Sequence, residues 1–323
     1  MPFFDFYIMV DWSGGARRRG GRADTIWIAF GPRTADAAST FSPHSRTEAI
    51  QLVESILDKT VRSKQRTLLC FDFAYGYPVD FAAALQAVTG KSDRDLPWIT
   101  VWQYLGEHLK DDEGTVPGAR PSNRSNRFEV ADQINALLSP DSKTAGPFWC
   151  APQGAASQYI PPKQPPESFK TAQGYVVKRH RLTDKRAGSG SPFRLFGTAS
   201  VGSQRLTGIA RLHQLRNDPK FAATSAVWPF ETDWATKAKW LPKHVLILHA
   251  EIYPIVRNSM PDEIKDRGQV RAMWQWASDL DCDDLLWREF CRPIEVETGS
   301  KEDLAIQLTE GRILGCSPTV TTQ

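Results

Sequence analysis

Three apolar runs in this chain each carry a single acid: FYIMVD ending at Asp11, TLLCFDF around Asp72, and HVLILHAEI around Glu251. A carboxylate set in an apolar strand is costly to desolvate unless it caps a turn or holds a cation. Continuous apolar runs also read as strands covered on both faces, which requires helices packed against a sheet. The chain therefore reads as α/β, with acids placed where strands end. Asp11 is followed at once by Trp12-Ser13-Gly14-Gly15, and the glycine-rich connection continues through Arg17, Arg18, Arg19 and Arg22 without any acid.

Local patterns fill in the element order. Residues 4–11 read as a first strand, 24–30 (DTIWIAF) as a second and 38–41 as a weaker third, each rich in β-branched or aromatic residues. Ser45-x-x-Glu48 matches a capping box, and Ile50, Val53, Ile56, Leu57 and Val61 repeat at helical spacing, so a helix is expected over 47–62. A strand follows over 67–73, then a helix over 79–88. Further helices are expected near 126–138, over 203–215, over 262–280 and over 302–310, and the last apolar strand over 244–252. Residues 147–173, rich in proline, glutamine and serine, read as a long surface loop. The order suggests three parts: 1–91 as the first part of a core, 92–243 as an inserted and partly basic region, and 244–323 as the last core strand with its helices.

Composition bounds the alternatives. The 323 residues are 41% hydrophobic and 24% charged, which is globular rather than disordered. No apolar run reaches the roughly 20 residues of a membrane span, and MPFFDFYIMVD lacks a basic n-region, so a cytoplasmic address without membrane contact is expected. The five cysteines form no C-x-x-C pair, which argues against a disulfide framework or a thiolate zinc site. Net charge is only +3, but residues 163–216 hold eleven Lys or Arg against two acids. Lys178, Arg179 and Arg181 in that region, and Arg17, Arg18 and Arg19 near the first acid, are candidate phosphate or nucleic-acid contacts. Solvated charge is the ordinary alternative for each.

MVDWSGG, CFDFAYGYP, HAEIYP, DRGQVRA and KEDLAIQLTEGRILG, in this order, resemble the RNase H-like superfamily, in particular a group of largely uncharacterised bacterial RNase H-like nucleases. The resemblance implies a mixed five-stranded sheet flanked by helices, with a large insertion before the last core strand. It implies acids on the first strand, the fourth strand and the last helix that bind Mg2+ or Mn2+ for phosphodiester hydrolysis. Carried over residue by residue, these are Asp11, Asp72 and Asp303, with Glu302 the other choice on that helix and Glu251 a fourth acid. Nucleic acid is the implied partner.

Ordinary roles stay open for each acid: a turn for Asp11, a neutralising Arg or His249 for Glu251, and a helix N-terminus for Glu302 and Asp303. Two other functions remain as well. An actin-like ATPase or kinase would also begin with an acid and a glycine-rich loop, and a catalytically silent RNase H-like module would bind nucleic acid or protein without cleaving it.

Overall fold

Strand β1 (Phe6–Asp11) lies between two different neighbours, and this arrangement positions everything that follows. On one side it pairs antiparallel with β2 (Trp27–Pro32), which pairs antiparallel with β3 (Ser39–Phe41). Helix α1 (Arg46–Arg62) then returns the chain, its first turn capped by Ser45 Oγ accepting from the Glu48 N–H at 3.2 Å. The next strand, β4 (Thr67–Phe71), pairs parallel with the other side of β1, from Phe6 opposite Thr67 to Val10 opposite Phe71. The Asp72 N–H continues that ladder by donating to Val10 O at 3.1 Å. Asp72 therefore follows β4 at the level where Asp11 ends β1.

The computed structural model describes residues 2–17, 19–90, 96–111, 122–141, 144–164, 166–197, 200–254 and 258–316. After β4 come α2 (Phe81–Thr89), α3 (Pro97–His108) and α4 (Arg127–Leu138), a hairpin of β5 (Ser168–Lys170) and β6 (Val176–Lys178), then α5 (Leu182–Ala187) and α6 (Gly202–Asn217). Strands β7 (Ser225–Val227) and β8 (Ile247–Ile252) precede α7 (Lys265–Cys282), α8 (Lys301–Ala305) and β9 (Ile313–Leu314). The main sheet has seven strands among the described residues, in the order β3-β2-β1-β4-β8-β7, with β9 also pairing with β8. Five strands were expected. The two additions are short parallel segments on β8, and β7 comes from the inserted region.

The pleat sorts side chains into two cores, since alternate residues of a strand face opposite sides. Ile8, Val10, Leu69 and Phe71 join the cluster shared with α1, α2, α3, α4 and α6. Tyr7, Met9, Leu68, Cys70, Leu248 and Ala250 join Val270, Met273, Trp274 and Ala277 of α7. Asp11 and Asp72 continue the second set, so both lie on the α7 side.

The expected surface loop at 147–173 is partly a core element: Phe148 and Ile160 are fully buried. Asn135, itself buried on α4, satisfies this irregular backbone by donating to Phe148 O at 2.8 Å and Tyr159 O at 2.7 Å and accepting from the Phe148 N–H. The helix expected over 302–310 is a short α-helix that continues as a π-helical turn over Ile306–Glu310. No helix among the described residues is long and apolar enough to cross a membrane.

His249 is fully buried in β8, with Nε2 3.4 Å from Ser225 Oγ and no partner for Nδ1 among the described residues. Burial pushes its imidazole down to about 3. Because the folded value lies below the unfolded one, the contribution of the neutral ring is complete above pH 6.5 and is lost as pH falls toward 3. Urea titrations from pH 7 to 4 should show His249→Leu losing less stability than the parent, by up to about 1.4 kcal/mol per pH unit below 6.5. Equal slopes for the two proteins would refute this account of His249.

Candidate active site

The segment after β1 is held from two sides. Arg46, fully buried at the start of α1, donates through Nη1 to Ser13 O at 3.0 Å and Gly15 O at 2.9 Å. Its Nε binds both carboxylate oxygens of Asp111 at 2.8 and 2.9 Å, and its Nη2 reaches Asn123 O at 2.7 Å. Asn123 in turn donates from Nδ2 to Arg17 O at 3.2 Å. On the other side Gly14 rests on the first turn of α6, where an added Cβ would stand 2.7 Å from Gln204 N and 2.9 Å from the Ser203 carbonyl carbon. Only glycine permits that approach. One guanidinium thus ties the glycine-rich connection to α1 and to the inserted region.

A cleft of about 880 Å³ opens beside this segment. Its walls come from the ends of β1 and β4, the first turns of α6 and α7, and the inserted residues around Asn123, Arg127 and Phe196. Asp11, Asp24, Asp72 and Asp266 all line it. Asp72 Oδ1 accepts from the Trp12 N–H at 2.7 Å and from Gln204 Nε2 at 2.8 Å. Asp266, in the first turn of α7, accepts at Oδ2 from the Asp24 N–H at 2.6 Å. The Asp11 and Asp72 carboxyl groups lie within hydrogen-bonding reach of each other.

Electrostatics follow from this crowding. Burial, then the charges of Asp72 and Asp266, the hydrogen bond to Asp72 and the charge of Asp24 all push Asp11 well above the usual carboxylate range. Burial lifts Asp72 to about 7, against the opposing pull of its hydrogen bonds from Trp12, Asp11 and Gln204. Asp266 is also raised, first by burial. Two carboxylates this close share a proton or require a cation between them. All four acids offer hard oxygen donors, the chemistry that suits Mg2+ or Mn2+. Among the described residues, no group of three His, Cys, Asp or Glu side chains is drawn together tightly enough to hold a metal ion as it stands.

The remaining expected site residues lie elsewhere. Glu251 accepts from Arg181 Nη1 at 2.8 Å and Nη2 at 2.6 Å and from the Tyr75 N–H at 3.1 Å, so a buried arginine neutralises it. Asp303 accepts from Trp234 Nε1 at 2.7 Å and the Gly299 N–H at 2.9 Å, while Glu302 pairs with Arg186. Neither Glu251 nor Asp303 lines the cleft. The helix acid that does is Asp266, within DRGQVRA. An acid in a first helical turn usually reads as a complement to the helix dipole, which hides a second role. The informative signal was position: α7 is the first long helix after the third acid-bearing strand, and it packs on β1 and β2.

The basic residues also divide. Arg17 and Arg19 are exposed and line the cleft, whereas Arg18 lies outside the described residues. Lys178 is exposed on β6, away from the cleft, and Arg179 pairs with Glu167. Arg181 is 0% exposed and cannot meet a nucleic acid. Its Nε and Nη2 also bind Asp184, and its Nη1 reaches Glu310 O at 2.7 Å. Much of the positive charge between 163 and 216 is neutralised internally in this way, Arg211 by Asp111 and Arg216 by Glu231.

Comparison with known protein families, with curated proteins and with solved structures finds no match.

Removing the Arg181 guanidinium would strand Asp184 and Glu251 in the interior, so Arg181→Met should destabilise the fold by about 3–5 kcal/mol. A denaturant midpoint unchanged from the parent would show that the network does not support the fold. The acid pair has the opposite requirement. Raised folded values mean that its contribution is complete below the unfolded value near 4 and is lost as pH rises through about 7, the value reached by Asp72. In metal-free buffer at pH 8, Asp11→Asn should therefore melt a few degrees above the parent, with the gap closing toward pH 4. A variant that melts lower at pH 8 would contradict the charge crowding inferred for the pair.

Proposed function

We propose that this chain is a divalent-metal-dependent phosphodiester hydrolase of RNase H-like type, acting through Asp11, Asp72 and Asp266. The observation that carries the reading is that these three carboxylates, from two adjacent strand ends and one helix start, line one cleft in which the leading influences on Asp11 are all unfavourable to its charge. A mixed sheet, antiparallel across β3-β2-β1 and parallel across β1-β4-β8, supports this reading.

Asp11, Asp72 and Asp266 would hold the metal, which when bound polarises a phosphoryl oxygen and lowers the pKa of a water nucleophile. The chain's own residues have definable parts. Asp11 and Asp72 give up their shared proton as the site is loaded, so uptake releases protons and strengthens with pH. Gln204 and the Trp12 N–H hold one oxygen of Asp72 and so fix the orientation of its carboxyl group. Arg17 and Arg19 present guanidinium groups to phosphate oxygens at the rim of the cleft.

The second reading is a silent binding module, favoured by the lack of a tightly gathered three-ligand group among the described residues. The actin-like alternative requires a duplicated core. Among the described residues the only other sheet is the β5–β6 hairpin, which does not support it.

Calorimetric titration of Mn2+ and hydrolysis of a chromogenic phosphodiester and of DNA and RNA strands separate these readings. The parent should bind Mn2+ and hydrolyse at least one of these substrates. Asp11→Asn and Asp266→Asn should each lose more than about a hundredfold in activity, beyond the usual cost of losing a residue that only orients a metal ligand. Asp303→Asn should keep activity near that of the parent. Full activity in Asp266→Asn would remove the proposed ligand set, and a parent that takes up no Mn2+ would leave the binding module as the better reading.

A further inference from the structure

The cleft that holds the acids is also lined by an arginine that makes no ion pair with a carboxylate among the described residues. Arg127, the first residue of α4, is 8% exposed and lines the cleft. Its Nε donates to Ser203 Oγ at 3.1 Å and its Nη1 to Ser125 Oγ at 2.9 Å, both neutral hydroxyls, and its Cζ lies 4.5 Å from the centre of the Phe128 ring. Among the described residues its Nη2 has no hydrogen-bond partner. Of the two acids whose charge acts on Arg127, Asp111 is already held by Arg46 and Arg211, and Glu129 makes no ion pair with it among the described residues. A nearly buried guanidinium normally has a matched anion.

The surroundings of Arg127 suit an anion. The sixteen-residue helix α6 begins at Gly202 beside Arg127; its Gly202 N–H donates to Arg194 O at 2.8 Å and Gly14 packs against Gln204 N, so Arg127 rather than the helix end supplies the positive charge there. Ser200, Val201 and Ser203 line the same part of the cleft. Phe196 lines it too and is 51% exposed, an aromatic face left in water where a nucleobase can stack. The spacing from the acids is set within α6: Ser203 binds Arg127, and the next residue, Gln204, binds Asp72. Consecutive Cα atoms are about 3.8 Å apart, so the guanidinium and the acid cluster flank one turn of helix.

We propose that Arg127, with Ser200 and Phe196 beside it in the cleft, forms a phosphate subsite, separate from the acid cluster, that takes the non-scissile phosphate of a nucleic-acid strand. The anion site stands on Arg127 and its neighbours in the cleft alone; the word non-scissile rests on the hydrolase reading above. A strand with phosphates on both sides of a nucleotide would span Arg127 and the acids together, with its base against Phe196. A small monophosphoester would satisfy only one of the two.

The test is phosphate binding in the presence of EDTA at low ionic strength, followed by calorimetry with inorganic phosphate and with a 5′-phosphorylated thymidine dinucleotide. The parent should bind both saturably, the dinucleotide more tightly. Arg127→Gln should weaken binding of each by about tenfold or more, the loss expected for one charge-assisted contact. Ser200→Asp, which places a carboxylate at the mouth of the subsite without touching the core, should weaken it likewise and decides the matter if Arg127→Gln does not fold. Asp11→Asn should bind phosphate at least as well as the parent. No saturable phosphate binding by the parent, or parent-like binding in both subsite variants, would overturn the proposal. Phosphate binding that depends on Arg127 in a protein that takes up no Mn2+ would keep the subsite and remove the hydrolase reading.

Discussion

The in-register parallel pairing of β1 with β4 is the constraint on which the site depends. Val10 lies opposite Phe71, and the ladder runs on through the Asp72 N–H, so the next residue of each strand is an aspartate. Backbone hydrogen bonds, not attraction between side chains, force the two carboxylates together. The repulsion is a local cost carried by a sheet whose strands are buried on both faces. Such strain is typical of functional centres, where local rules are violated and the surrounding structure compensates. The compensation here is visible in the Trp12 N–H and Gln204 amide on Asp72, and the raised Asp11 and Asp72 carboxyl groups favour keeping a proton in the pair.

Two buried arginines hold the rest of the architecture to that pair, and they do so differently. Arg46 binds mostly carbonyl oxygens and Asp111, so it sets the path of the glycine-rich connection and joins it to the insertion. Arg181 lies between Asp184 on α5 and Glu251 on β8 and also reaches Glu310 O. Glu310 accepts from the Leu182 and Val79 N–H groups at 2.6 and 3.0 Å. The start of α5, the end of β8, the turn after β4 and the π-helical turn are thereby fastened at one point. Removing half of such a network costs far more than the network contributes as a whole, because the remaining charges stay buried. The insertion is therefore part of the folded body that shapes the cleft.

Some of this was legible in residue order and some was not, for reasons particular to each residue. Asp11 and Asp72 were legible because an acid in an apolar strand is a local contradiction that only a turn, a partner or a cation resolves. Glu251 shows the same contradiction, yet its partner is Arg181, seventy residues earlier in the chain. Nothing near Glu251 distinguishes an arginine from a metal. Arg181 in turn sat in a charge run that reads as solvated, although its guanidinium is the most enclosed cation of that run. Asp266 was hidden by the opposite effect, since an acid at a helix start contradicts nothing. Strand β7 was missed because three residues carry too little periodicity to be told from a loop.

What the sequence by itself determined is the set of elements: the strands with their acids, the capped helix after Ser45, and a glycine-rich break where a close approach is needed. These follow from interactions within a few residues, which apolar periodicity and turn chemistry record directly. Tertiary structure decided which charges meet. It brought Asp266 into the cleft of Asp11 and Asp72, gave Glu251 to Arg181, and left Arg127 lining that cleft without a carboxylate partner among the described residues. Those outcomes depend on which elements pack side by side, and the same aspartate or arginine is a ligand, a structural ion or a solvated charge according to the neighbour that removes its water.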